Sequence, residues 1–186
     1  NWSFCFDTLK NNDIINLSIR RTGELSKKYY FENVDELVQH LIFKYKELSP
    51  LKLQKSLYFL FAFYAGNYQI SEEQGVAESD YDYPKYLFKA DFEAWTYGPV
   101  IRHVYDKNKK DEYMAKEFNF EGNENSEISK FIDDVSEMIM AKSDFALVDR
   151  SHDDKAWKDA IAIGNSSPMS EEVIANEYKE LFKNMG

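Results

Sequence analysis

The sequence predicts an α+β fold in which a mainly α-helical domain over residues 49–186 follows a small strand–strand–helix unit over residues 1–48. Three observations lead there. Near the N-terminus, Trp2, Phe4 and Phe6, then Ile15, Leu17 and Ile19, alternate with polar residues, the two-residue period of a half-buried strand. From residue 33 onward, apolar side chains recur at the three- and four-residue spacing of helices. Ser49-Pro50 separates the two regions. A residue before proline is driven away from helical angles, whereas serine caps and proline opens the helix that follows.

In chain order, residues 1–31 read as strands with turns at Asn11-Asn12-Asp13 and Thr22-Gly23 and a last extended piece from Lys27 to Phe31. Asn33 then caps a helix, with Glu36 three residues on and Val34, Leu37, Val38, Leu41, Ile42 and Tyr45 on one face. The next helix runs from Pro50 to about Ala65 and is apolar nearly all round, which predicts a central core element stopped by Gly66. Residues 67–89 read as a long acidic, tyrosine-rich loop. In Trp95-Thr96-Tyr97-Gly98-Pro99-Val100, Gly98 can take angles closed to other residues and Pro99 suits a first helical turn. The reading is a sharp corner that starts a helix to about Lys107. Residues 108–125 form another loop. Ser126 caps a helix with Ile128, Phe131, Ile132, Val135 and Ile139 on one face; Ser143 starts a shorter piece through Val148; Lys155 to Ile163 is a helix; Ser170 caps the last.

The 186 residues suit one domain, or one domain with an appendage. The net charge is −10. Residues 1–48 are balanced, so the whole excess lies beyond them. Direct nucleic-acid binding is disfavoured, because phosphate binding needs clustered Lys and Arg. Arg20, Arg21, Lys27 and Lys28 make only a small basic group, read as a solvated strand edge. The single cysteine, Cys5, allows neither an internal disulfide nor a Cys-based zinc cage. With no apolar run of membrane-spanning length, the expected location is the cytoplasm.

Familiar catalytic signatures are absent: no glycine-rich phosphate loop, no G-x-S-x-G, no H-E-x-x-H, no C-x-x-C. The histidines are His40, His103 and His152. His152 with Asp153 or Asp154, and with His103 if the fold brings it near, could form a metal or acid–base pair. The simpler reading of Ser151-His152-Asp153-Asp154 is the start of a helix, where acidic side chains favour the positive dipole end. Glu72, Glu73, Asp80, Tyr81, Asp82, Tyr83 and Tyr86 carry two readings as well. They are a solvated loop with tyrosines packing down, or a docking surface for a basic protein, with tyrosine supplying contact area and the acids steering the partner.

Four blocks together resemble the Panacea domain, also called the SocA-like antitoxin domain. They are Leu53-Gln54-Lys55-Ser56-Leu57-Tyr58; Phe92 to Val100 followed by Tyr105; Ser151-His152 with Trp157-Lys158; and the helix ending at Phe182. The resemblance spans residues 50–182. Ala156 stands where the family has proline, the 67–89 loop is longer, and residues 1–48 lie outside it. It implies a mainly helical core and no enzymatic activity; no cofactor and no metal are expected. Gln54, Lys55, Trp95, Tyr97, Gly98, Pro99, His152 and Trp157 are the structural motif it assigns. It further implies a protein that binds and neutralises a toxin, encoded in a phage, prophage or plasmid. The acidic surplus extends this to a second reading, an anti-CRISPR or other anti-defence inhibitor of a host nuclease. A homodimer stays open.

Overall fold

The computed structural model describes residues 27–74 and 83–184, so the strands expected over residues 1–26 lie outside the described residues. Within them the chain forms α1 (Val34–Tyr45), α2 (Pro50–Gln74), β1 (Phe92–Trp95), β2 (Gly98–Ile101), α3 (Arg102–Lys109), α4 (Asn123–Met140), α5 (Asp144–Asp153), α6 (Lys155–Ile163), β3 (Ser167–Pro168) and α7 (Glu171–Asn184). The fold is α+β and mainly helical, with one small antiparallel sheet of strand order β2-β1-β3.

α2 is the axle. Every residue from Leu57 to Ala65 is fully buried, as its all-round apolar sequence predicts. It packs against α1, α3, α4, α5, α7 and β2. Ser49 caps it, accepting the Lys52 N–H at 3.0 Å. The helix does not stop at Gly66 but continues to Gln74. Gly66 serves packing instead. A Cβ there would lie 2.8 Å from Tyr178 Cβ, so the missing side chain lets α7 approach α2 closely. Residues 67–74, expected in a loop, are therefore helical.

α1 is capped by Asn33, whose Oδ1 accepts the Asp35 N–H at 2.9 Å. Its apolar face joins the same hydrophobic core as α2, α4 and α7, so Ser49-Pro50 is a bend inside one core. The last extended piece before α1 makes a single parallel bridge, Tyr29 with Tyr86, fixed by Tyr86 N–H to Lys28 O at 3.0 Å and Tyr30 N–H to Tyr86 O at 2.9 Å.

The Gly-Pro corner is a β-hairpin. β1 pairs with β2 in the register Ala94↔Pro99 and Trp95↔Gly98, leaving Thr96-Tyr97 as a two-residue loop. Gly98 has φ of +93°. Pro99 thus sits in a strand, and the helix begins at Arg102. Proline is tolerated because β2 is an edge strand, where a missing donor breaks no ladder.

α4 starts at Asn123, three residues before the expected cap, because Gly122 at φ +95° turns the chain into it. α5 is capped by Ser143 but runs five residues past Val148, so His152 and Asp153 end a helix instead of starting one. Asp154 is the single extended residue between α5 and α6. Its carboxylate is 2% exposed. It accepts Tyr58 OH at 2.6 Å and Tyr178 OH at 2.7 Å, and it pairs with Arg150. This joint ties α2, α5 and α7 together.

Replacing Asp154 by Ala strands the Arg150 charge and two tyrosine hydroxyls, and is expected to cost about 3–5 kcal/mol. Tyr178→Phe removes one donor and costs about 1 kcal/mol. Urea unfolding of the two variants checks the ranking; equal losses would contradict the central role of the carboxylate.

Candidate functional site

The β1–β2 hairpin is held by side chains standing in for a strand partner on the open edge of β2. From α2, Gln54 Oε1 accepts the Ile101 N–H at 2.8 Å, and its Nε2 donates to Ile101 O at 3.3 Å. One turn-step along, Lys55 Nζ donates to Pro99 O at 3.1 Å. Gly98 leaves room for both neighbours beneath it. A Cβ there would strike Ser151 Oγ and lie 2.7 Å from Lys55 Nζ. From α6, Trp157 Nε1 donates to Trp95 O at 3.0 Å. The His152 ring stacks on Trp157 with centroids 3.9 Å apart. Trp95 is fixed on its outer side too: its Nε1 donates to Glu93 at 2.9 Å, and the Arg102 guanidinium lies 5.0 Å over its ring. That guanidinium, bonded to Glu93, holds the Glu93 carboxyl below its usual range. The structural motif residues Gln54, Lys55, Trp95, Tyr97, Gly98, Pro99, His152 and Trp157 are thus gathered around one hairpin. Tyr97, at its tip, is 64% exposed.

Beside the hairpin lies a cavity of about 370 Å³. Leu51, Lys55, Trp95, Tyr97, Val100 and Tyr105 are among its walls, which are largely apolar. Lys55 is 1% exposed, and among the described residues its amine has one hydrogen-bond acceptor, Pro99 O. Burial pulls its pKa down to about 7. His152 is also lowered, first by burial and then by Lys55 nearby, and its Nε2 is buried without a hydrogen-bond partner. A desolvated amine therefore borders this apolar space.

Of the acidic patch, the side chains of Glu73, Tyr83 and Tyr86 are described. Asp80, Tyr81 and Asp82 lie outside the described residues, and Glu72 falls within α2. Glu73 is held to α7 by Lys179 and Lys183, whose hydrogen bonds pull its pKa down to about 2. Tyr83 and Tyr86 are buried, 1% and 2% exposed. Tyr83 OH bonds Glu127, and the Tyr86 ring stacks on Phe61 at 5.3 Å. Described residues 83–90 are a buried strap over α2, since aromatic side chains gain more from that contact than from solvent.

His40 is buried on α1, where Nδ1 accepts the Phe118 N–H at 3.2 Å. His103 Nε2 lies 3.6 Å from Asp35, away from the stack that holds His152 on Trp157. Among the described residues, no group of three His, Cys, Asp or Glu side chains is placed to hold a metal. Sequence reasoning missed the Asp154 joint and the cavity walls Leu51, Val100 and Tyr105. The available signal was Tyr58 and Tyr178, hydroxyls on core helix faces that must find partners.

Residues 77–158 match the family model described as antitoxin SocA-like, Panacea domain. The match covers the hairpin, Asp154, His152 and Trp157, while α2 brings Gln54 and Lys55 to the site from outside the matched span. No curated protein and no solved structure matches the chain. No helix among the described residues is long and apolar enough to cross a membrane.

The Lys55 amine has a testable signature. Its folded pKa of about 7 lies below the 10.5 of a free lysine, so between these values the unfolded chain binds more protons. Stability should therefore rise with pH from about 7 to about 10.5 through this group, and be insensitive to it below. Lys55→Met keeps an apolar stem and removes the charge. It is expected to stabilise the protein at pH 7 and to flatten that rise, read from urea unfolding across the window.

Proposed function

We propose that the protein is a binding inhibitor of the antitoxin type, which neutralises a toxic partner protein by direct association and carries out no bond-making of its own. The observation that carries this reading is the match of residues 77–158 to the SocA-like antitoxin domain. The geometry supports it. The matched residues build a hairpin held by Gln54, Lys55 and Trp157, and the hairpin presents an exposed Tyr97. A rigid aromatic at a loop tip provides anchoring area with little entropy to lose. The net charge of −10 favours a basic partner by steering its approach. The partner gene lies beside this one on a phage, prophage or plasmid, and the pair acts in the cytoplasm.

The same acidity favours one alternative, inhibition of a host nucleic-acid-guided nuclease through its basic groove. That reading requires nuclease binding that weakens steeply with salt, and loss of DNA cleavage at excess inhibitor.

Co-expression with the product of the neighbouring reading frame separates these. The antitoxin reading expects growth arrest by the neighbour alone, rescue by this protein, and co-purification of the two. Tyr97→Ala should weaken the complex by about 10-fold or more, roughly 1.4 kcal/mol, while leaving the melting temperature unchanged. A harmless neighbour that does not co-purify would remove the antitoxin reading.

A further inference from the structure

We propose that the cavity beside the β1–β2 hairpin is a binding site for a small organic acid bearing an apolar chain or ring, with the carboxylate received at the Lys55 amine. The volume of about 370 Å³ is within the range of small-molecule sites. Leu51, Trp95, Val100 and Tyr105 offer it apolar and aromatic walls.

The polar feature decides the ligand class. Lys55 is almost wholly buried, yet it meets one carbonyl and no carboxylate among the described residues. An ammonium has three donors, so a protonated Lys55 leaves donors unmet here. A buried cation without a counter-charge costs stability, and an apolar side chain in its place would cost less. Holding Gln54-type contacts to β2 does not require a charge at the next position. Such a residue beside a formed cavity marks a site for a missing anion.

A single amine matches a single negative charge. A phosphate would bring surplus charge into a space that, among the described residues lining it, supplies no arginine and no second lysine. The space beyond the head group is apolar, which calls for a hydrocarbon or aromatic body. The assignment does not rest on toxin binding, and its test uses the chain alone.

Octanoate is a suitable probe, and octanol is its partner of similar length without the charge. Calorimetric titration of the purified protein should show saturable one-to-one octanoate binding, with octanol at least ~10-fold weaker. Lys55→Met, with folding checked by circular dichroism, should abolish the preference for the acid. Val100→Trp, which fills the cavity, should lose both probes. Absence of saturable octanoate binding, equal affinity for the two probes, or unchanged octanoate binding in Lys55→Met would each overturn the proposal. An acetylated peptide ending in leucine that displaces octanoate would show that the site takes a protein chain end, and the small-acid assignment would fall.

Discussion

A carboxylate in a protein interior is held there only if hydrogen bonds replace its lost water. Asp154 meets that demand with donors from three helices: Tyr58 of α2, Arg150 of α5 and Tyr178 of α7. The requirement has geometric consequences. Tyr178 can reach Asp154 only with α7 laid tightly along α2, and Gly66 supplies the close approach. One residue before Tyr178, Glu177 accepts the N–H groups of Lys155 and Ala156 and so caps α6. Burial raises the Glu177 carboxyl above its usual range, against the pull of those two N–H groups. α6 is fixed at its start by this pair of acids. That in turn aims Trp157 at the Trp95 carbonyl, and the hairpin takes its place. The cavity is thus the last step of an arrangement that begins at a buried charge.

The hairpin itself is built with little of its own stability. Two four-residue strands and a two-residue loop are marginal alone. Side chains of α2 complete the edge of β2, which spares that edge from pairing with another chain. Gln54 does so without electrostatic cost, since a neutral amide satisfies both a donor and an acceptor. Lys55 does so at a cost, because burial disfavours the charged form of its amine. The two neighbours therefore differ in kind: one is explained by the architecture, and the other exceeds what the architecture needs.

What the sequence disclosed follows from the range of each interaction. Helix starts set by local caps were legible at Asn33, Ser143 and Ser170, and α6 was legible over its whole length. Gly66 and Pro99 were misread because their roles depend on what lies across from them: a neighbouring helix in one case, an edge strand in the other. Ala156 shows the same dependence. Its N–H donates to Glu177, a bond that the family's proline could not make. The tyrosines Tyr83 and Tyr86 look like surface anchors when flanked by acids, yet their rings find α2. The motif residues were legible as separate blocks. The cavity between them was not, since a cavity is defined by walls from α2, the hairpin and α3 at once.

The distribution of charge bears on how such a surface selects a partner. Part of the negative charge on the described surface is matched by neighbouring cations. Glu73 is bonded to Lys179 and Lys183, Glu93 to Arg102, Asp35 to Lys107, and Glu171 to Lys28. The more exposed of these pairs add little to stability. The net charge of −10 acts over a distance set by the ionic strength. Groups that lose water on contact favour residence on a surface; on the matched segment Tyr97, beside an open apolar cavity, is one such group, and Met114 and Phe145 are also exposed there. Net charge and exposed apolar side chains thus sit on different parts of the molecule, the one diffuse and the other local.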